Sequence, residues 1–250
     1  MKAHHPRNPA ASRHPAFTLV ELLVTITIII AIAALSFTGI SKMRKSGDRV
    51  VAIRNMSQLQ LANTSYAAEN NGKYVPTDEW NDEGSGYVKW LDNPKFVSFF
   101  KSESGVYLSN GRIDTTLPLG MMDPAVVRAK KHLYNEAQAS YAYNKTGMTG
   151  GWATPGARPS YLVSQVNDPS RSAVFISATD WNTDHPKRFL WTGAAAVEGK
   201  TVNGKIAYRH NNKAIVVYYD GHVGEISQAD MRRIDDLGGA NNIFWKANAQ

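Results

Sequence analysis

His210, Asp220 and His222 form the one compact set of titratable side chains in the sequence with a workable geometry. They lie in the stretch YRHNNKAIVVYYDGHV, Tyr208 to Val223, where nine residues separate His210 from Asp220. Two imidazoles and a carboxylate are the minimum for zinc, but Asp220 and His222 flank a turn that splays them. As a catalytic set they lack a nucleophile. Ser227 is close in sequence, yet no G-x-S-x-G elbow accompanies it. The stretch reads as two strands joined by a turn at Asn211-Asn212-Lys213, then a tight Asp220-Gly221 turn, the usual type I′ pair, into a third strand. The adopted reading is structural: His210 and Asp220 share a hydrogen bond that fixes the hairpin. Metal binding and hydrolysis stand as the alternatives.

A second set is Asp180, Asn182 and Asp184, oxygen donors at alternate positions. Calcium prefers such ligands, so Asp180 and Asp184 are candidate calcium ligands. The spacing lacks the glycine and distal glutamate of an EF-hand, and a solvated polar loop is the plain alternative. No other cofactor is indicated. There is no HExxH, no phosphate-cradling P-loop and no GxGxxG opening a helix. With no cysteine, the chain has no disulfide and no thiolate.

The third candidate is one residue, Glu21. It is the single charge in the 24-residue run FTLVELLVTITIIIAIAALSFTGI, Phe17 to Ile40. A helix of that length rises ~36 Å, enough to cross a hydrocarbon core of ~30 Å. A carboxylate in such a span is costly unless paired, which makes it a functional suspect. Before the run lie Lys2, Arg7 and Arg13 with no acidic residue, an arm too rich in Pro and His to fold. The run is too long for a secretory signal and no A-x-A site follows it.

The stretch RHPAFTLVELLVT, Arg13 to Thr25, resembles the amino-terminal signal of type IV prepilins and type II secretion pseudopilins. That resemblance implies that a prepilin peptidase removes residues 1–16, cutting between Ala16 and Phe17, and that Phe17 is then N-methylated. The family usually carries Gly where this chain has Ala16, another small residue. Glu21 becomes the fifth mature residue, the position that pairs with the terminal amine of a neighbouring subunit. Implied partners are the peptidase, further copies of this and other pseudopilins, an inner-membrane assembly platform and membrane lipid. The implied location is single-pass in the inner membrane with a periplasmic carboxy-terminal domain, and then a pilus or the cell surface. His210, nine residues and Asp220-Gly221 resemble a carboxy-terminal signature of prepilin-like proteins.

The elements that must position these residues follow from pattern. Residues 41–71 continue the helix beyond the apolar run. Ile53, Met56, Leu59 or Gln60, Asn63 and Tyr66 recur at 3–4 spacing and make one buried stripe. Asn70-Asn71-Gly72 ends it, and the Lys-Tyr-Val-Pro that follows is similar to the pseudopilin segment after this helix. Lys2, Arg7 and Arg13 favour a cytoplasmic amino terminus, but Lys42, Arg44 and Lys45 compete with them, so the orientation rests partly on the resemblance.

Residues 72–250 form the soluble domain. Asn93-Pro94 opens a short helix, Gly105 to Ser109 a strand entering an Asn110-Gly111 hairpin, and Asp123-Pro124 a helix. Ser140 to Asn144 alternates as a half-buried strand does, Ala173 to Ser177 reads as a buried strand, and Ser227-x-x-Asp230 is a capping box. The expected class is α+β: a long amino-terminal helix packed on an antiparallel sheet, pilin-like. The net charge of +7 owes three units to the leader, which argues against nucleic-acid binding. The expected role is a filament subunit, not an enzyme. The alternative is a membrane-tethered ligand- or glycan-binding protein that uses exposed tryptophans.

Overall fold

The computed structural model describes residues 17–80, 87–100, 117–129, 140–149, 156–185 and 204–249. The expected 105–111 hairpin and the helix beyond Ala129 lie outside them, as does Ala16. The chain divides into two compact units, Met1–Arg44 and Lys45–Gln250. Helix α1 is Leu19–Glu69, 51 residues.

In the first unit, the described side chains of α1 are exposed on every face, among them Leu22, Leu23, Ile26, Ile29, Ile30 and Leu35. A helix apolar all round has no polar face to turn to water. By length and composition it is the one helix among the described residues able to cross a membrane.

In the second unit the helix becomes one-sided. Met56, Leu59 and Asn63 are fully buried, with Gln60 and Tyr66 nearly so, while Val50 and Leu61 face outward. The stripe read from sequence is therefore the packing face. The helix stops where its backbone turns left-handed. Asn71 has φ 55° and Gly72 φ 74°, and the Gly72 N–H donates to Ala67 O at 2.8 Å, closing the orphan carbonyls. The chain then turns back along its own helix, the Val75 N–H donating to Asn63 Oδ1 at 3.0 Å.

Among the described residues seven strands follow: β1 Asp78–Trp80, β2 Tyr87–Lys89, β3 Tyr141–Asn144, β4 Ala173–Ser177, β5 Asn182–Thr183, β6 Lys213–Tyr218 and β7 Val223–Ser227. β1 and β2 form a small antiparallel ribbon. The other five make one sheet in the order β5-β3-β4-β6-β7. The expected antiparallel sheet is in fact mixed: β5 runs parallel to β3, with Tyr143 opposite Asn182. After β4 the chain rounds the amino-terminal end of β3, where the Ala178 N–H donates to Ser140 O. It then follows the far edge of β3 in the same direction, a reversal too local to leave a period in the sequence.

Both faces of this sheet are covered. Along β6, Ile215 and Val217 join the core that holds Met56, Leu59 and Tyr66. Ala214 and Val216 join a second core with Met231, Phe244 and Trp245. Each fully buried side chain of this kind contributes about 1.5–3 kcal/mol. β3, expected to be half-buried, is buried along its whole length because it is an inner strand. Three short α-helices, α2 Pro94–Val97, α3 Pro124–Ala129 and α4 Gln228–Asp236, and four single-turn 3-10 helices complete the described fold. Asn93 caps α2 by accepting from the Phe96 N–H, and Ser227 with Asp230 forms the expected capping box of α4.

Candidate functional site

Among the described residues, the start of α1 in the first unit and a cleft in the second each hold candidate side chains. At the start of α1, Phe17 and Glu21 are exposed. Thr18 caps the helix: the Glu21 N–H donates to Thr18 Oγ1 at 3.2 Å. In return Thr18 donates to Glu21 Oε2 from its hydroxyl at 2.7 Å and its backbone N–H at 2.9 Å. This is a reciprocal capping box, legible as Thr18-x-x-Glu21 although the sequence reading used only the glutamate. It places a carboxylate at a helix amino terminus, where the aligned peptide dipoles favour negative charge.

The second place is a cleft of about 500 Å³ between the Lys45–Arg49 turns of α1, α3 and the turn at Asn211-Asn212. His210 lines it, but its partner is not the expected one. His210 Nε2 lies 2.9 Å from Asp123 Oδ2, a residue 87 positions away in the chain. Asp220 instead sits 2.6 Å from the Nδ1 of His222, whose ring stacks on Tyr218 at 4.2 Å. The shared His210–Asp220 bond is thus corrected to two separate pairs at opposite ends of β6. β6 is six residues long, so a strand of this length keeps its two turns apart.

The tight two-residue turn is at Asn211-Asn212, not at Asp220-Gly221. Asn211 and Asn212 have φ 51° and 58° and join His210 to Lys213 by two backbone hydrogen bonds of 3.2 and 2.9 Å. That is the two-residue turn with both central residues left-handed. Asp220-Gly221 belongs to a longer loop. The Tyr218 N–H donates to His222 O, the Gly221 N–H donates to Tyr218 O, and only Gly221, at φ 93°, is left-handed.

Asp123 and Arg209, which the sequence reading missed, hold the floor of the cleft. Their side chains are 0% and 1% exposed, 3.9 Å apart. Asp123 also accepts from the Ala125 N–H at 2.9 Å, capping α3. Arg209 donates to Ser140 O and Ala178 O, the backbone where the chain rounds β3. Burial alone would raise the Asp123 carboxyl. The His210 hydrogen bond, the Arg209 charge and the Ala125 N–H outweigh it and hold the carboxyl below its ordinary range.

At the rim, two guanidinium forks grip carboxylates. Arg128 donates to both oxygens of Asp48 at 2.7 and 2.6 Å. Arg49 donates to both of Glu225 at 2.5 and 2.6 Å, which draws that carboxyl below its usual range.

Asp180 and Asp184 flank β5, and Asp180 Oδ1 accepts from the neighbouring Trp181 N–H. Among the described residues no group of three His, Cys, Asp or Glu side chains could hold a metal. Trp90 and Trp245 are core residues, so neither is available to a ligand, and Trp152 and Trp191 lie outside the described residues. Comparison with family models, curated proteins and solved structures gives no match to this chain.

Proposed function

We propose that the chain is a structural subunit of a type II secretion pseudopilus or a type IV pilus-like filament. The observation that carries this reading is the composition of α1. It is apolar on every face from Leu19 to Ile40, with one charge placed at its capped start. Its later turns are buried against a sheet.

On this reading the apolar stretch anchors the chain in the inner membrane after prepilin peptidase cuts between Ala16 and Phe17, with residues 45–250 on the periplasmic side. The assembly platform then moves it from lipid into contact with other subunits. Glu21 is the residue whose surroundings change. In the single chain Thr18 satisfies its carboxylate. In the filament the methylated terminal amine of a neighbour takes that place and rewards one axial register, the use for which buried ion pairs are best suited.

The test of processing is the intact mass of the chain recovered from membranes that contain the peptidase. The expected amino terminus is N-methylated Phe17. A chain that keeps residues 1–16, or is cut elsewhere, overturns the reading.

A further inference from the structure

We propose that the cleft between α1, α3 and the Asn211-Asn212 turn binds a phosphate-type oxyanion. The cleft lies wholly within the Lys45–Gln250 unit, so failure of processing or of assembly would leave this proposal untouched.

Charge is the first argument. Lys45, Arg49, Arg128 and Arg209 line the cleft, and three carboxylates, Glu225, Asp48 and Asp123, each face one of the guanidiniums, which leaves the Lys45 ammonium as the charge in excess. The second is spare donor capacity. A guanidinium carries five N–H groups and a carboxylate fork consumes two of them. Arg49 spends Nε and Nη2 on Glu225, and Arg128 spends Nη1 and Nη2 on Asp48. Each keeps further N–H groups, and their side chains remain 34% and 47% exposed. The carboxylates therefore act as splints that fix the two guanidinium planes at the rim.

Lys45 adds an exposed ammonium, and Asn211 and Asn212 present exposed side-chain amides from a turn whose backbone is held by two hydrogen bonds. The floor is rigid, since Arg209 and His210 are nine-tenths buried and tied to Asp123. Guanidinium, ammonium and amide donors around one opening suit an anion with several acceptor oxygens far better than a halide. A phosphate group offers that chemistry either free in solution or as the headgroup of an anionic lipid.

The experiment uses the full chain, ¹⁵N-labelled, in zwitterionic micelles, and follows the side-chain amide resonances of Asn211 and Asn212. One arm adds inorganic phosphate, a second dopes the micelles with lysophosphatidylglycerol, and a third adds chloride at matched ionic strength. A saturable shift in the first arm assigns the site to free phosphate, and one in the second alone assigns it to a headgroup. Either supports the proposal when Lys45→Gln weakens the response roughly tenfold. In the phosphate arm Lys42→Gln, which alters no residue of the cleft, should leave the response unchanged. No saturable shift in either arm, an equal response to chloride, or an unaltered response in Lys45→Gln overturns it. Lys45 holds no carboxylate in place, so that variant keeps the fold intact.

Discussion

Asp123 is the carboxylate at the centre of a buried charge cluster in the carboxy-terminal unit. It is buried with Arg209 and His210, and its carboxyl is held below the ordinary range. The sign follows from that direction. A depressed carboxyl contributes stability above the unfolded value, near 3.9, and that stability is lost as pH falls through the folded value. The melting temperature of the wild type should therefore drop steeply below about pH 4. Asp123→Asn should flatten that drop and, at neutral pH, cost about 3–5 kcal/mol by leaving Arg209 uncompensated. Thermal melts of both proteins across this pH range check it, and parallel acid limbs would contradict it.

At the same scale, what was legible depended on sequence distance. The capping partners Thr18 and Glu21, three apart, can be read directly, as can Ser227 and Asp230. His210 could be picked out as one half of a structural pair, but its partner could not, because Asp123 lies 87 residues off and nothing local marks the pairing. The Arg49–Glu225 fork spans 176 residues and is equally silent in sequence.

At the scale of elements, the helix was the most legible part and the sheet the least. A period of 3–4 announces which face of α1 is buried, and that face holds Met56 and Leu59 in the core. Leu59→Ala should cost about 2–5 kcal/mol, the transfer loss plus the cavity it leaves, read as a lowered denaturation midpoint with unchanged slope. Strand direction has no such signature, which is why the parallel β3–β5 pair was not foreseen.

Two glycines separate backbone strain from crowding. Gly221 has φ 93° and open space where a side chain would stand, so Gly221→Ala should cost only the left-handed penalty of about 1–2 kcal/mol. Gly147 has φ 80°, and a Cβ there would meet Lys246 Cγ and Tyr161 Oη at 2.7 Å. Gly147→Ala should therefore destabilise more than Gly221→Ala. Equal melting temperatures for the two variants would contradict the crowding argument.

At the scale of the whole molecule, one helix carries an apolar stretch long enough to cross a membrane and, in its later turns, side chains that belong to the core of the second unit. On the proposed reading as a filament subunit, one carboxylate, Glu21, links membrane storage to the filament. The direct test is the fraction of mature chain recovered in sheared, sedimentable filaments, compared between wild type and Glu21→Ala. The wild type should enter filaments, while Glu21→Ala should be inserted and cleaved yet recovered there roughly tenfold less or lower. Normal incorporation of Glu21→Ala, or a wild-type chain that never leaves the membrane pool, would contradict the account.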